Sequence, residues 1–217
     1  MPISVITVGT QSVNVVTLPI APALRSVEFK WHDSIAVSPR SFTGQMQRQA
    51  WPGADMWMGT FTLPPLTIAQ ADVWEAALLQ LRGVQNAFQL GDPRKKTPRG
   101  SVAGSPAVDN TQNNGNPAMS QALGTKNWAP GAVGVLLAGD YLMAGFRMYR
   151  VLDDVTADSS GNAVIPIWPS LREQPTSGLN IATSNCVALL CLAENDRSSS
   201  ADYTRLTKLS FQFMEYR

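Results

Sequence analysis

The amino-acid sequence predicts a mainly β protein that contains one α-helix and a second β unit inserted into the first. Three features predict this class. Segments in which apolar and polar residues alternate lie near both ends of the chain, one segment has helical periodicity, and a polar stretch rich in Gly, Pro, Asn and Ser separates the first strands from a central group. The 217 residues are enough for one large domain or two small ones.

The N-terminal region is predicted to form short strands, each rich in β-branched or aromatic residues and bounded by turn residues, at 4–8, 12–16, 24–31, 41–49 and 56–63. Gly9 and Thr10 separate the first two strands and predict a tight hairpin. In the third strand Val27, Phe29 and Trp31 alternate with polar residues, which indicates a strand with one buried face.

One helix is predicted over residues 67–82. Thr67 is suited to the N-cap, and Gln70 follows three residues later in a capping-box pattern. The apolar residues Ala71, Trp74, Leu78 and Leu81 recur at steps of three and four, so they share one face, and Gly83 suits the C-terminal stop. We expect this helix to place Trp74 on a face of the sheet.

The rest of the chain is predicted to contain a second β unit and a closing strand. Residues 91–131 are interpreted as a long loop with a strand or two near 101–108, and apolar segments follow at 134–138, 141–144, 148–152, 163–168, 186–192 and 204–217. The last segment alternates like the N-terminal strands. We therefore predict a discontinuous first domain, residues 1–95 and 185–217, and an inserted outer β domain with long loops at 96–184.

Composition excludes several classes of protein. Apolar residues make up 44% of the chain and allow a core, while charged residues make up only 15%, against about 25% in an average domain. A surface with so few charges favours burial against partners; a β-rich domain that uses Ser, Thr, Asn and Gln on its polar faces is the alternative, and both can be true. The net charge of +1 gives no global attraction for nucleic acid, and no segment predicts a membrane helix or a signal peptide. We expect the protein to be made and retained in a cytosol, or to be packaged there into something larger.

Candidate catalytic and metal-binding residues are few. His32 is the single histidine, and no Gly-x-Ser-x-Gly motif accompanies it. The loop that contains Asp153, Asp154 and Asp158 lacks the alternating order and distant Glu of a calcium loop, and is typical of a hairpin connection. Cys186 and Cys191 are interpreted as core residues. We therefore expect no enzyme activity, no cofactor and no metal.

Two weaker candidates concern binding. Arg94, Lys95, Lys96 and Arg99 form the one basic cluster, which is interpreted as a solvated loop or as a rim that faces DNA or a partner subunit. Trp51, Trp128 and Trp168 lie near turns, and exposed aromatic rings of this kind stack against sugars; Trp128 and Trp168 are kept as candidate glycan contacts.

Several motifs in order resemble one known family, the short distal tail proteins of long-tailed bacteriophages. The motifs that carry this resemblance are Gln49-Ala-Trp-Pro-Gly53, Leu81-Arg-Gly83, Phe88-Gln-Leu-Gly-Asp-Pro93, Thr97-Pro-Arg-Gly100, Leu137-Ala-Gly-Asp140, Tyr149-Arg-Val-Leu152, Asp158-Ser-Ser-Gly161, Ile167-Trp-Pro169, Leu171-Arg172 and Leu209-Ser-Phe-Gln-Phe-Met-Glu-Tyr-Arg217. The resemblance covers nearly the whole chain.

The resemblance implies a β-sandwich with one packed helix, plus an inserted small β-barrel-like domain that points outward. It also implies a homohexameric ring at the distal end of a tail tube, in contact with the tube protein, the hub protein and tail fibres, with a channel for DNA in transit. The location would be the virion tail, assembled in the cytoplasm of a bacterial host. The alternatives are a carbohydrate- or receptor-binding module of the tail tip and, third, a wall hydrolase.

Overall fold

The computed structural model describes residues 2–39, 42–196, 200–201 and 206–217. In these ranges the fold is mainly β, with one α-helix, several sheets and a barrel-like sheet, as predicted. The N-terminal half of the first unit contains the strands β1 Ile3–Val8, β2 Gln11–Val16, β3 Ser26–His32, β4 Ile35–Val37, β5 Arg48–Ala50, β6 Met56–Thr62 and β7 Phe88–Leu90, with the helix α1 Ile68–Leu81 between the last two strands.

The helix α1 begins and ends where its capping residues predict. Thr67 donates its backbone N–H to the side-chain oxygen of Gln70 at 3.1 Å, and Arg82 ends the helix in the left-handed conformation. The predicted apolar face is buried, with Trp74 almost inaccessible and packed near Phe61.

The helix spans about 21 Å, and among the described residues no helix is long and apolar enough to cross a membrane.

The central region forms the barrel, a six-stranded antiparallel sheet made of β8 Gly104–Val108, β9 Ala122–Trp128, β10 Tyr141–Ala144, β11 Arg147–Val151, β12 Ala163–Trp168 and β13 Ile181–Ala182. The strands follow the order β13-β10-β11-β12-β9-β8. The backbone N–H of Val108 donates to the carbonyl of Leu179 at 2.9 Å, so the first and last strands come together and the sheet nearly closes. All six strands lie within 96–184, the range predicted for the inserted unit.

The C-terminal segment returns to the first unit through β14 Ala188–Leu192, the short pair β15 Ser200–Ala201 and β16 Thr207–Lys208, and β17 Ser210–Glu215. The main sheet has the order β3-β6-β17-β14-β7, so the two C-terminal strands lie side by side between strands from the N-terminal region. In the closing strand Leu209, Phe211 and Phe213 are buried and Ser210 and Gln212 are exposed, as the alternation predicts.

One hydrophobic core joins the main sheet to the barrel. Trp57 on β6 is fully buried, and its indole N–H donates to the carbonyl of Met148 in the barrel at 2.9 Å. The ring of Trp57 makes edge contacts with Trp168 at 4.7 Å and Tyr141 at 5.9 Å between centroids. The two units are therefore packed against each other through aromatic side chains rather than joined by a flexible linker.

Three details of the strand prediction are wrong. The strand predicted at 41–49 is only Arg48–Ala50, and it pairs with Ile35–Val37, which was not predicted. The stretch 91–131 contains β9 in addition to β8. Strand β9 was missed because one of its buried side chains, Thr125, is polar, so Leu123 does not stand out as part of an apolar alternation. The segment 134–138 makes only an isolated bridge through Leu136.

Candidate interaction surfaces

An ionic junction joins the barrel to the end of the main sheet. Arg172, which follows β12, donates from Nε and Nη2 to the two carboxylate oxygens of Glu215 at 2.9 and 2.7 Å. Its Nη1 also donates to the carbonyl of Gly53 at 2.8 Å and lies 3.5 Å from the Asp55 carboxylate, which accepts hydrogen bonds from Ser170. The junction fixes the barrel against the start of β6 and the end of β17.

The basic loop binds mostly to its own fold. Arg94 makes two side-chain hydrogen bonds to Asp92, at 2.9 and 2.8 Å, and Tyr141 donates to the same carboxylate at 3.2 Å. Burial opposes ionisation of Asp92, but the hydrogen bonds and charge of Arg94 outweigh it and lower the pKa of Asp92 below its ordinary value. Arg94 therefore satisfies a buried carboxylate while most of its side chain stays exposed.

The next basic residues attach this loop to the barrel. Lys95 donates from Nζ to the carbonyl of Gly139 at 2.7 Å, and the Arg99 side chain donates to the carbonyl of Ala138. The backbone N–H of Arg99 donates to Asp140 at 3.0 Å. Lys96 is exposed. The cluster is thus a connection between the two units whose cations also reach the surface.

The two candidate glycan-contact residues differ in position. Trp128 is 3% exposed, and its indole N–H donates to Thr125 at 2.8 Å inside the barrel, so no ring face is available to a sugar and this candidate is withdrawn. Trp168 is partly buried against Trp57, and its indole N–H donates to Asp33 at 3.0 Å. Trp168 therefore serves the junction between the two units.

The residues considered for catalysis and metal binding are dispersed or used in turns. The imidazole Nε2 of His32 lies 3.2 Å from the hydroxyl of Ser34, while the neighbouring Asp33 accepts its hydrogen bond from Trp168. Asp158 accepts backbone hydrogen bonds from Ser160 and Asn162 in its own turn. Among the described residues, no group of three or more His, Cys, Asp or Glu side chains could hold a metal ion.

Within the described residues, a prominent exposed apolar surface lies on a β-hairpin that we call the arm, residues 34–39 and 42–51. Its strands β4 and β5 pair only with each other in the described chain, and all their residues are exposed. Ile35 and Val37 lie on one face of the hairpin and are each 52% exposed, Trp51 at its base is 60% exposed, and Phe42 is fully exposed near the tip. Such a cluster of large apolar side chains on a two-stranded ribbon is typical of a surface that a partner covers.

A groove lies at the base of the arm, where it meets the barrel. One side of the groove is lined by the arm, through Ile35, Ala50 and Trp51, and the other by the barrel, through Met119 and Ser170. The remaining lining residues are Asp33, Ser34, Pro52, Gly53, Asp55 and Gln121. The apolar surface of the arm therefore continues into a concave site at the junction between the two units.

Sequence reasoning missed the arm because it predicted one strand at 41–49 and no partner strand at 35–37. The signal was present: apolar residues in 35–51 show neither the period of a helix nor that of a long strand, and Ser, Pro, Gly and Gln interrupt them. It also missed the pairing of Arg172 with Glu215, because the two residues are 43 positions apart and no local pattern relates them.

The fold and these surfaces define a class of protein: a mainly β protein in which a small barrel is inserted into an open sheet that carries one helix and an exposed apolar arm. Comparison with models of protein families gives no match for this chain, and comparison with curated proteins gives no match either.

Proposed function

We propose that this chain is a structural, non-catalytic subunit that assembles with further copies into a ring at the distal end of a phage tail tube. The ring would connect the tube protein to the tip hub, contact tail fibres and leave a channel for DNA in transit. The sequence resemblance to distal tail proteins supports this role, and so does the mainly β fold. The proposed number of six copies and the virion tail as location come from that resemblance.

The observation that carries the proposal is the arm. Burial of apolar surface stabilises a protein by about 25 cal/mol per Å². In a single copy this stabilisation is missing for four large side chains of the arm, which are exposed: Ile35, Val37, Phe42 and Trp51. An isolated two-stranded hairpin is marginally stable in water. A neighbouring subunit that covers the arm would bury these side chains and stabilise the pairing of β4 with β5.

Open strand edges give a second reason to expect assembly. Within the described residues, β3 is one edge of the main sheet, and β2 attaches to the other edge through Val16 N–H to Ala87 O at 2.8 Å, which leaves β1 outermost. Strand β1 has no charged residue, and its Ile3 and Val5 are exposed. Soluble proteins usually protect such edges, because an unprotected edge pairs with another chain.

A head-to-tail contact explains how these surfaces would give a ring. The arm and the β1 edge are different surfaces, so a contact between copies need not use the same patch on both, and repeated contacts of this kind close into a ring when the rotation permits. The outer face of the sheet is polar, with Thr60, Ser210 and Gln212 beside the exposed pair Glu28 and Lys30, and such a face can be stacked against other subunits.

Light scattering over a concentration series, with negative-stain images of the largest species, tests the proposal. We expect rings of six copies for the unaltered chain and a monomer for the double variant Ile35→Ser, Val37→Ser. The matched control is Val164→Ser, which removes a single exposed apolar side chain from the barrel and should leave the ring intact. Monomers of the unaltered chain at every concentration, or rings that tolerate the double variant, would contradict the proposal. A monomer would favour the carbohydrate- or receptor-binding alternative.

A further inference from the structure

One arginine on the barrel, Arg150, lies close to two aromatic rings. The guanidinium carbon of Arg150 on β11 is 5.2 Å from the ring centroid of Trp31 and 6.0 Å from that of Tyr141. In the described part of the chain, no carboxylate or carbonyl accepts a hydrogen bond from this side chain. Trp31 is 58% exposed, so the stacked pair lies at the surface. The geometry holds the cation in place and leaves its N–H groups available.

A second cation converges on the same point. A side chain built on Gly139 would begin 3.3 Å from Nζ of Lys95 and 3.4 Å from Nη2 of Arg150. Burial, and then the charges of Arg150 and Arg99, lower the pKa of Lys95 below its ordinary value. Two like charges held together in this way are relieved by an anion that binds between them.

The arginines of the basic loop are exposed, whereas the two carboxylates that pair with them are buried. Arg94 and Arg99 have side chains that are 68% and 61% exposed, whereas the side chains of their partners Asp92 and Asp140 are 0% and 2% exposed. The buried carboxylates direct their oxygens to nearby backbone N–H groups and arginine side chains. An approaching molecule therefore meets these exposed guanidinium groups, and beside them the exposed carboxylate of Asp154, which accepts a hydrogen bond from the backbone N–H of Ala138 at 2.8 Å.

We infer that this cationic face, formed by Lys95, Arg150 and Trp31 with the exposed residues of the basic loop, binds a single-stranded nucleic acid. Guanidinium and ammonium groups bind phosphate oxygens, and an exposed indole stacks a base. The aromatic ring favours a nucleic acid over an acidic peptide, which has no base to stack. All the residues belong to one copy of the chain, so this inference does not depend on ring assembly.

Fluorescence anisotropy of a labelled single-stranded oligonucleotide of mixed sequence tests the site, with salt varied between about 50 and 200 mM. For about three phosphate contacts, the logarithm of the affinity should fall with the logarithm of salt with a slope of about −2. Arg150→Gln should weaken binding about tenfold and make the slope shallower by about 0.7. Trp31→Leu should weaken binding at least about fivefold and leave the slope unchanged.

The matched control is Arg25→Gln, which removes an exposed arginine away from the face and should leave binding unchanged. Urea unfolding of each variant verifies that the fold is intact. Unaltered affinity in Arg150→Gln, affinity lost equally in Arg25→Gln, or equal affinity for polyglutamate of matched charge would each overturn the inference. Light scattering of the same variants keeps this result separate from ring assembly.

Discussion

Glu215 accepts two hydrogen bonds from the guanidinium of Arg172, with Nε to Oε1 at 2.9 Å and Nη2 to Oε2 at 2.7 Å. The two side chains are 5% and 8% exposed. Glu215 ends the last strand of the main sheet, and Arg172 follows the last long strand of the barrel. This ion pair therefore fastens one unit to the other in a place from which water is almost excluded.

Replacing Glu215 by Gln should destabilise the protein strongly. The variant would leave the charge of Arg172 buried and only partly compensated, and breaking a buried pair costs about 3–5 kcal/mol. Urea unfolding measures the loss. Glu28→Gln is the control, because Glu28 pairs with Lys30 at 3.8 Å on the exposed surface and such pairs contribute about 0–1 kcal/mol. Similar effects of the two substitutions would show that the junction contributes little.

Stability should fall in acid because of Asp140. Burial opposes its ionisation, but the backbone N–H groups of Leu137, Arg99 and Gly100 outweigh burial and lower the pKa of Asp140 below its ordinary value. A carboxylate with a lowered folded pKa stabilises the fold above its unfolded pKa of about 3.9 and loses that contribution as the pH falls through the folded value.

Asp140→Asn tests this pH dependence. The variant should cost about 1–3 kcal/mol at neutral pH, because an amide offers one oxygen to three donors, and its unfolding free energy should depend less on pH below about 5. The measurement is the urea midpoint as a function of pH, with Asp72→Asn on the exposed face of the helix as control. A variant with the same acid dependence as the unaltered chain would contradict the assignment.

A methyl group at Gly59 should not be tolerated. A Cβ there would overlap the carbonyl oxygen of Glu28 and lie 2.5 Å from Cζ of Phe213, in the centre of the main sheet. Gly59→Ala should therefore lower the unfolding free energy by about 3 kcal/mol, at the upper end for overpacked cores. Gly178→Ala is the comparison, because nothing lies within 4 Å and only its left-handed φ of +80° opposes a side chain, at about 1–2 kcal/mol. Equal losses would mean that the sheet relaxes around the methyl group.

The two cysteines should be unreactive in the folded protein. Burial raises the pKa of each thiol, Cys186 and Cys191, to about 11, so almost no thiolate is present at neutral pH. An aromatic disulfide reagent should react slowly without denaturant, and both thiols should react at once in urea. A rapid reaction of either thiol in the native protein would show that its strand opens readily.

Elements with a regular local pattern were predictable from the sequence, and contacts between distant segments were not. The helix α1 followed from Thr67, Gln70 and its apolar stripe, and β12 followed from its apolar run between turns. Strand β9 was missed because its inward Thr125 satisfies its hydroxyl by donating to the carbonyl of Ala163 at 2.7 Å, a bond that depends on β12 lying beside it. Tertiary partners of this kind leave no mark on local composition.

For the candidate surfaces too, local patterns were predictable from the sequence and contacts between distant segments were not. The basic cluster was visible as a run of charges, but its outward direction depends on Asp92 and Asp140, which lie beneath it and neutralise its inner side. Arg150 was not predicted to belong there, because it reaches Trp31 only when β11 packs near β3. Trp128 could not be separated from the exposed tryptophans, since a turn in the sequence does not show which rings point inward.

The order of strands in the main sheet has a consequence for biosynthesis. Strand β17 lies between β6 and β14, so the centre of this sheet cannot be completed until residues 210–215 have left the ribosome, whereas the barrel is contiguous from 104 to 182. Domains tend to fold as units during translation. We expect the barrel to close first, and Phe29, Trp57 and Phe61 to remain without their final neighbours on β17 until then. The nascent chain would thus carry an unfinished aromatic layer until β17 is available, which is the stage at which a chaperone would matter most.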